Sequence, residues 1–205
     1  MDYSLHLSKD KKLKKLIGLH DLFQLKQKKN ICIYLCASIM SQQLSTKVAT
    51  VIYNRFLNLF GNKEPTPQQI LDISLEKLRS IGLSNAKASY VHNVARFAEE
   101  KGLNLKKLNR MSNEELVEYL TEIKGVGKWT TEMLLMFALG REDVFAVDDL
   151  GIQNAMIGLY RLNKEDKKQL KLEMQRISAK WSPYRTYACL HLWRWKDNTP
   201  IKGKK

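Results

Sequence analysis

Residues 123–152 read IKGVGKWTTEMLLMFALGREDVFAVDDLGI, and the fold turns on how this stretch is parsed. Gly125 and Gly127 stand two apart, immediately before a long apolar run. Glycine reaches positive φ without steric penalty and lets another backbone come close. Across 129–139, Trp129, Met133, Met136 and Phe137 recur with Leu134, Leu135 and Leu139 between them, which predicts a largely buried helix. A glycine turn feeding a helix start aims unpaired amides and the positive dipole end at one point, and a phosphate suits that point. Gly140 ends the helix. Val144-Phe145-Ala146-Val147 is too short for another element, so Asp148 and Asp149 open the next helix. An aspartate there is an ordinary cap, but two in a row leave one spare. Each feature is common taken singly. Their order is what points to chemistry: glycine turn, buried helix, short apolar return, aspartate.

A chain of 205 residues holds one or two domains and a full core. Hydrophobic residues at 44% and charged residues at 27% are the proportions of a soluble globular protein. Lys and Arg number 35 against 21 Asp and Glu, a net charge of +14. Such an excess fits a polyanionic partner, nucleic acid being the commonest, although solubility alone would give the same excess. Cys32 and Cys36 share an apolar segment at helical spacing, with Cys189 distant. They read as buried thiols, and no Cys/His set has zinc spacing. No secretion signal opens the chain and no apolar run reaches membrane length, so an intracellular, soluble, cytoplasmic or nucleoid-associated protein is expected.

Outside the opening stretch, the chain is punctuated by helix starts. Lys11, Lys12, Lys14 and Lys15 surround Leu13, Leu16 and Ile17, which predicts an N-terminal helix over 8–28 with a solvated basic face. Residues 31–36 are apolar and helical. They lead to Ser41-Gln42-Gln43-Leu44-Ser45, a polar corner in which Ser45 caps a helix over 48–60. Thr66-Pro67-Gln68-Gln69 joins a cap, a first-turn proline and a glutamine three on from the cap. Ser74 and Ser84 offer further starts, and Ser112 with Glu115 forms a capping box. Residues 155–162 are apolar helix and 163–180 a charged helix. The aromatic run 181–195 has the spacing of a core helix, with His191 a satisfied core histidine. Lys202, Lys204 and Lys205 form a basic tail. Nothing alternates with period two, so the fold class is all-α.

The stretch 123–152 resembles the hairpin and aspartate loop of the helix-hairpin-helix DNA base-excision glycosylases, and most of all the 3-methyladenine DNA glycosylase II family. Ile123, Gly125, Gly127, Trp129 and Thr130 match its turn, and Asp143, Val144, Phe145, Asp148, Asp149, Leu150 and Gly151 match its loop. Ala146 stands where that family usually has proline, so a less rigid loop entry is expected. The resemblance covers about residues 35–195, including the 41–45 corner, Gly82-Leu83-Ser84 with Lys87-Ala88, and the run from Trp181 to Trp193. It implies one glycosylase unit over 1–205, with two helical subdomains flanking a cleft. These would be a six-helix-barrel-like part at 31–110 and a hairpin and catalytic-loop part at 111–205, with helix 8–28 alongside. The extra β-domain of larger bacterial relatives is not expected here, the stretch before Ile31 being too short for one.

The resemblance also implies roles. Asp149 is the catalytic carboxylate, and Asp148 a cap or a support for it. Gln43 fills the gap left by the extruded nucleotide, with Leu44 as the alternative wedge. Amides at Gly125 and Gly127, with Lys124, Lys128 and Thr130, grip phosphates. Trp129, Trp193, Met133 and Tyr187, or Tyr184 in place of the last, line the base pocket, with Lys87 and Tyr90 on its wall. Double-stranded DNA with damaged bases is the implied partner, and the protein is expected to be monomeric. No metal is held by side chains and no cofactor is expected. Only Cys189 lies near the four-cysteine iron–sulfur position of some relatives, so no cluster is expected. A structural Na⁺ or K⁺ on the hairpin carbonyls is implied.

The chemistry suits these residue types. A base must leave the stack to be attacked. Breaking its glycosidic bond places positive charge on the sugar, which a carboxylate stabilises while orienting water. Relatives that also nick the strand carry a Schiff-base lysine where this chain has Trp129. Lys128 lies one residue early, about 100° around a helix. A monofunctional enzyme is therefore expected. Tryptophan faces attract the cationic ring of an N3- or N7-alkylated purine, itself a good leaving group. The rivals are a glycosylase for a deaminated or oxidised base, and a non-catalytic hairpin module that only clamps DNA. A clamp needs neither Asp149 nor Trp193.

Overall fold

Short polar side chains start nearly every helix of this protein. The computed structural model describes residues 3–18 and 22–198, and all regular structure among them is helical. Contacts sort these residues into two units, one drawn from Met1–Lys26 with Gly140–Lys205, the other Gln27–Leu139. The chain begins with α1 (Tyr3–Leu7) and α2 (Lys11–Ile17). Asp10 accepts from the Lys12 and Leu13 amides and so opens α2. Leu13, Leu16 and Ile17 are buried while Lys11, Lys14 and Lys15 face solvent, as the spacing predicts.

The second unit carries α3 (Ile31–Ser41), α4 (Thr46–Asn58), α5 (Pro67–Asp72), α6 (Leu75–Ser80), α7 (Asn85–Glu100), α8 (Leu105–Leu108), α9 (Asn113–Thr121) and α10 (Lys128–Phe137). Asn30, Ser45, Thr66, Ser74, Ser84, Asn104 and Ser112 each cap the helix that follows through a side-chain oxygen. Thr66 with Gln69 and Ser112 with Glu115 are reciprocal capping boxes. Leu35, Cys36, Ile39 and Met40 of α3 are fully buried, as are Ala88, Val91, Val94 and Ala95 of α7. Removing such aliphatic side chains from water contributes roughly 1.5–3 kcal/mol for each large one. Helix α7 packs on α3, α5 and α6, and α10 packs on α9 and α3.

The first unit resumes with α11 (Leu150–Tyr160), α12 (Lys167–Ser178), a 3₁₀ turn (Ala179–Trp181) and α13 (Arg185–Asn198), with α13 against α2 and α11. Its core has a polar lattice. Asp10 Oδ2 accepts from the Tyr160 hydroxyl (2.7 Å) and Trp181 Nε1 (3.2 Å). Tyr3 stacks on Tyr187 at 3.9 Å, and its hydroxyl lies 3.3 Å from Nε2 of the buried His191. Cys32, Cys36 and Cys189 are buried thiols.

Two expectations change. The 8–28 segment is not one helix: Asp10 restarts it, Gly18 closes it, and residues 22–30 are non-helical. Residues 19–21 lie outside the described residues, as do Lys202, Lys204 and Lys205. The division into units falls between Leu139 and Gly140, not after residue 110. The hairpin stays with α3 because α10 packs there, and because the end of α10 is tied to the non-helical segment before α3. Ala138 O accepts from Lys28 N (2.8 Å), and Leu139 O from Gln27 Nε2 (3.1 Å). Among the described residues no helix is long and apolar enough to cross a membrane.

Candidate functional site

Helix α10 is the only helix of its unit without a side-chain cap: Gly127 opens it and has none to offer. The first amides of any helix lack intrahelical partners, and here they lie at the hairpin between α9 and α10, an arrangement that suits an anion. Gly125 makes the turn at φ +107, and a Cβ there would fall 2.3 Å from the Tyr90 ring. Only glycine fits both conditions. Lys124 and Lys128 are exposed beside the turn. Lys128 Nζ is 3.8 Å from the carboxylate of the buried Glu132.

One face of α10 and one face of α3 line a half-open cavity of about 640 Å³. Trp129, Met133 and Phe137 follow at i, i+4 and i+8, and Tyr34, Ser38 and Ser41 at i, i+4 and i+7. Trp129 is 47% exposed and lines the cavity. The Tyr34 hydroxyl donates to Met133 O (3.3 Å), and burial raises its pKa. Gln42, Gln43 and Leu44 form the rim. Gln43 is exposed with φ +58, in the left-handed region that a side chain seldom enters.

In the other unit, Asp149 caps α11. Its Oδ1 accepts from Ile152 N (2.8 Å) and from Trp193 Nε1 (2.8 Å). Two donors on one oxygen fix the carboxylate rotamer. Gly151 makes room for this arrangement, since a Cβ there would lie 3.0 Å from Asp149 Oδ1 and from Trp193 Cδ1 and Nε1. The loop before Asp149 is braced along α13. Arg185 forks onto Asp143 (Nε–Oδ1 2.6 Å, a second nitrogen to Oδ2 3.0 Å), which Ser182 also bonds. Thr186 Oγ1 donates to Arg141 O and accepts from Val144 N. Burial pushes the Asp143 carboxyl up, but the Arg185 and Ser182 bonds and the guanidinium charge outweigh it and hold it below the usual carboxylate value. Ala146 is fully buried in this loop.

The HhH-GPD family, described as a superfamily of base excision DNA repair proteins, matches residues 36–180. The chain belongs to this superfamily. Schizosaccharomyces pombe DNA-3-methyladenine glycosylase 1 is 40% identical over 202 residues, covering 95% of this chain and 87% of that protein. Two solved structures have the same fold. The S. pombe 3-methyladenine DNA glycosylase in complex with abasic DNA has a TM-score of 0.85 at 34% identity, covering 99% of this chain and 100% of that one. A Bacillus halodurans DNA-3-methyladenine glycosidase has a TM-score of 0.82 at 37% identity, covering 94% and 88%.

Within this HhH-GPD chain the expected site residues separate by unit. Trp129, Thr130, Met133, Gln43 and Leu44 meet at the cavity, although Thr130 is itself buried. Asp149 and Trp193 meet in the other unit. Three sets of expected residues have definite partners in the structure. Tyr187 is buried, one face stacked on Tyr3 and its hydroxyl given to Glu142 (2.8 Å), so its ring packs in the core of its unit. Asp148 is not the cap. Asp149 is, and Asp148 pairs with Lys171 (2.6 Å). Lys87 and Tyr90 hold backbone: Lys87 Nζ donates to Met40 O and Gln42 O, and Tyr90 lies under Gly125. Tyr34 and Ser38 extend the site along α3 beyond the residues expected, and polar residues at helical spacing in an otherwise apolar helix are their signal. The Asp143–Arg185 fork joins positions too distant in sequence to pair by inspection.

Proposed function

We propose that this protein is a monofunctional DNA glycosylase that hydrolyses the N-glycosidic bond of alkylated purines of the 3-methyladenine kind after flipping the nucleotide from the duplex. The observation that carries this reading is the Asp149 carboxylate, locked at the start of α11 by Ile152 and Trp193. A clamp would have no use for it.

The amides of α10, with Lys124 and Lys128, hold phosphates of the damaged strand. Gln43 enters the gap, Leu44 being the alternative wedge. The open face of Trp129 attracts a purine made cationic by alkylation. That positive charge weakens the glycosidic bond, so departure of the base needs no strong acid. Asp149 stabilises the oxocarbenium-like sugar and orients the water that completes hydrolysis. With tryptophan at 129 no amine is placed to attack the sugar, and the strand stays intact.

Neutral backbone oxygens of the hairpin suit a Na⁺ or K⁺ ion. Ile123 O, Lys124 O and Gly125 O accept from Val126, Asn93 and Gln42, and each retains a second lone pair. Such an ion would add positive charge at the hairpin. The working form is a monomer on double-stranded DNA, inside the cell.

Methylated duplex DNA, incubated with wild type and with Asp149→Asn, tests this directly. Asparagine caps a helix as well as aspartate does, so the variant folds but lacks the charge. Wild type should free 3-methyladenine and leave strands that break only after alkali, while the variant is slower by at least about a hundredfold. Equal release by both sinks the mechanism. Release of a different base from damaged DNA moves the substrate class.

A further inference from the structure

The corner that presents Gln43 is held in a conformation it would not adopt alone. A non-glycine residue at positive φ persists only where its surroundings over-determine it. Here Leu44 N donates to Ser41 O (3.1 Å) and Gln42 Nε2 to Gly125 O (3.4 Å). Gln42 N donates to Ile39 O (3.3 Å), and a further tie comes from α7: Lys87 Nζ donates to Met40 O (3.0 Å) and Gln42 O (2.7 Å). These carbonyls lie at the C-terminal end of α3, where helix carbonyls lack partners and the dipole is negative. An ammonium there satisfies both and fixes the peptide that leads into Gln43. The same helix supports the hairpin three and six residues on, through Tyr90 beneath Gly125 and Asn93 Nδ2 on Lys124 O (3.1 Å). One helix thus sets both the gap-filling corner and the phosphate-gripping turn.

We propose that Lys87 is a positioning residue for base flipping, locking the 41–45 corner so that the Gln43 side chain projects into the gap of the duplex. This rests on the reading of Gln43 as the gap-filling residue. A lysine that merely capped α3 would affect stability alike whether or not Gln43 had a side chain. A lysine that acts through Gln43 would lose its effect on insertion once that side chain is gone.

A double-mutant cycle separates the two. Wild type, Lys87→Met, Gln43→Ala and the double variant are titrated onto a duplex carrying 2-aminopurine beside a tetrahydrofuran abasic site, whose fluorescence reports insertion without any excision. Lys87→Met and Gln43→Ala should each weaken insertion by roughly tenfold, the scale of a lost charge-assisted hydrogen bond. The double variant should be no worse than Gln43→Ala, and Lys87→Arg should recover most of the loss. An equal loss from Lys87→Met in both backgrounds, or none in either, overturns the proposal. Gln43→Ala with unaltered insertion overturns the gap-filling reading and the proposal with it, while wild-type base release tests the glycosylase reading separately. Thermal melts verify folding. If Lys87→Met does not fold, Lys87→Gln in the same two backgrounds completes the cycle.

Discussion

At the scale of single residues, Gly151 shows how one absent methyl shapes a site. It lies in the first turn of α11, and alanine within a helix is ordinarily better than glycine by about 1 kcal/mol. Here the new Cβ would press at 3.0 Å on Asp149 Oδ1 and on the Trp193 indole. Gly151→Ala should therefore lose to overpacking the melting-temperature gain that alanine in a helix ordinarily brings, and slow base release by roughly tenfold or more, as the carboxylate loses its fixed position. Single-turnover kinetics beside a thermal melt read both. Full activity in the variant would mean that the indole gives way without moving Asp149.

At the scale of elements, the hairpin and the α13 brace carry different loads. Gly125→Ala meets two obstacles, φ +107 and the Tyr90 ring. It should distort the α9–α10 turn and weaken binding to undamaged duplex by more than about tenfold, measured by anisotropy. The brace is tested by acid. Asp143 is held below its ordinary value, so its contribution to stability is present above the unfolded carboxylate value near ~3.9 and is lost as pH falls through the folded one. The melting temperature of wild type should drop steeply below about pH 4, and that of Asp143→Asn less steeply. Asp10 is also lowered, burial being outweighed by bonds from Tyr160, Lys12, Trp181 and Leu13, so some acid sensitivity remains in the variant. Parallel curves would remove Asp143 from the account.

At the scale of the whole molecule, the net charge of +14 makes affinity for DNA a matter of counterion release. Logarithmic affinity should fall linearly with logarithmic salt, and Lys128→Ala should reduce the slope by about 1. An unchanged slope would place Lys128 away from the phosphates. The same variant also frees Glu132 from its nearby cation, so a thermal melt accompanies the titration.

What the sequence by itself determined is local in origin. The caps at Thr66, Ser74, Ser84 and Ser112, the glycine turn at Gly125 and Gly127, the apolar face of α10 and the aspartate at a helix start all depend on residues within about one helical turn of each other. Composition and periodicity therefore sufficed for an all-α chain, and the motifs for its family. What only the tertiary structure decided depends on partners far apart in the chain. The Trp193 bond to Asp149 spans 44 positions, and the Lys87 bond to Gln42 spans 45. Tyr187 looked like a pocket aromatic until Tyr3, from the other end of the sequence, covered its face. Left-handed backbone at Gln43 carries no signature in the residue type. It exists because surrounding hydrogen bonds outweigh its intrinsic cost, and the long-range ones among them, from Lys87 to Met40 O and Gln42 O and from Gln42 to Gly125 O, are made only once α3, α7 and the hairpin have packed together.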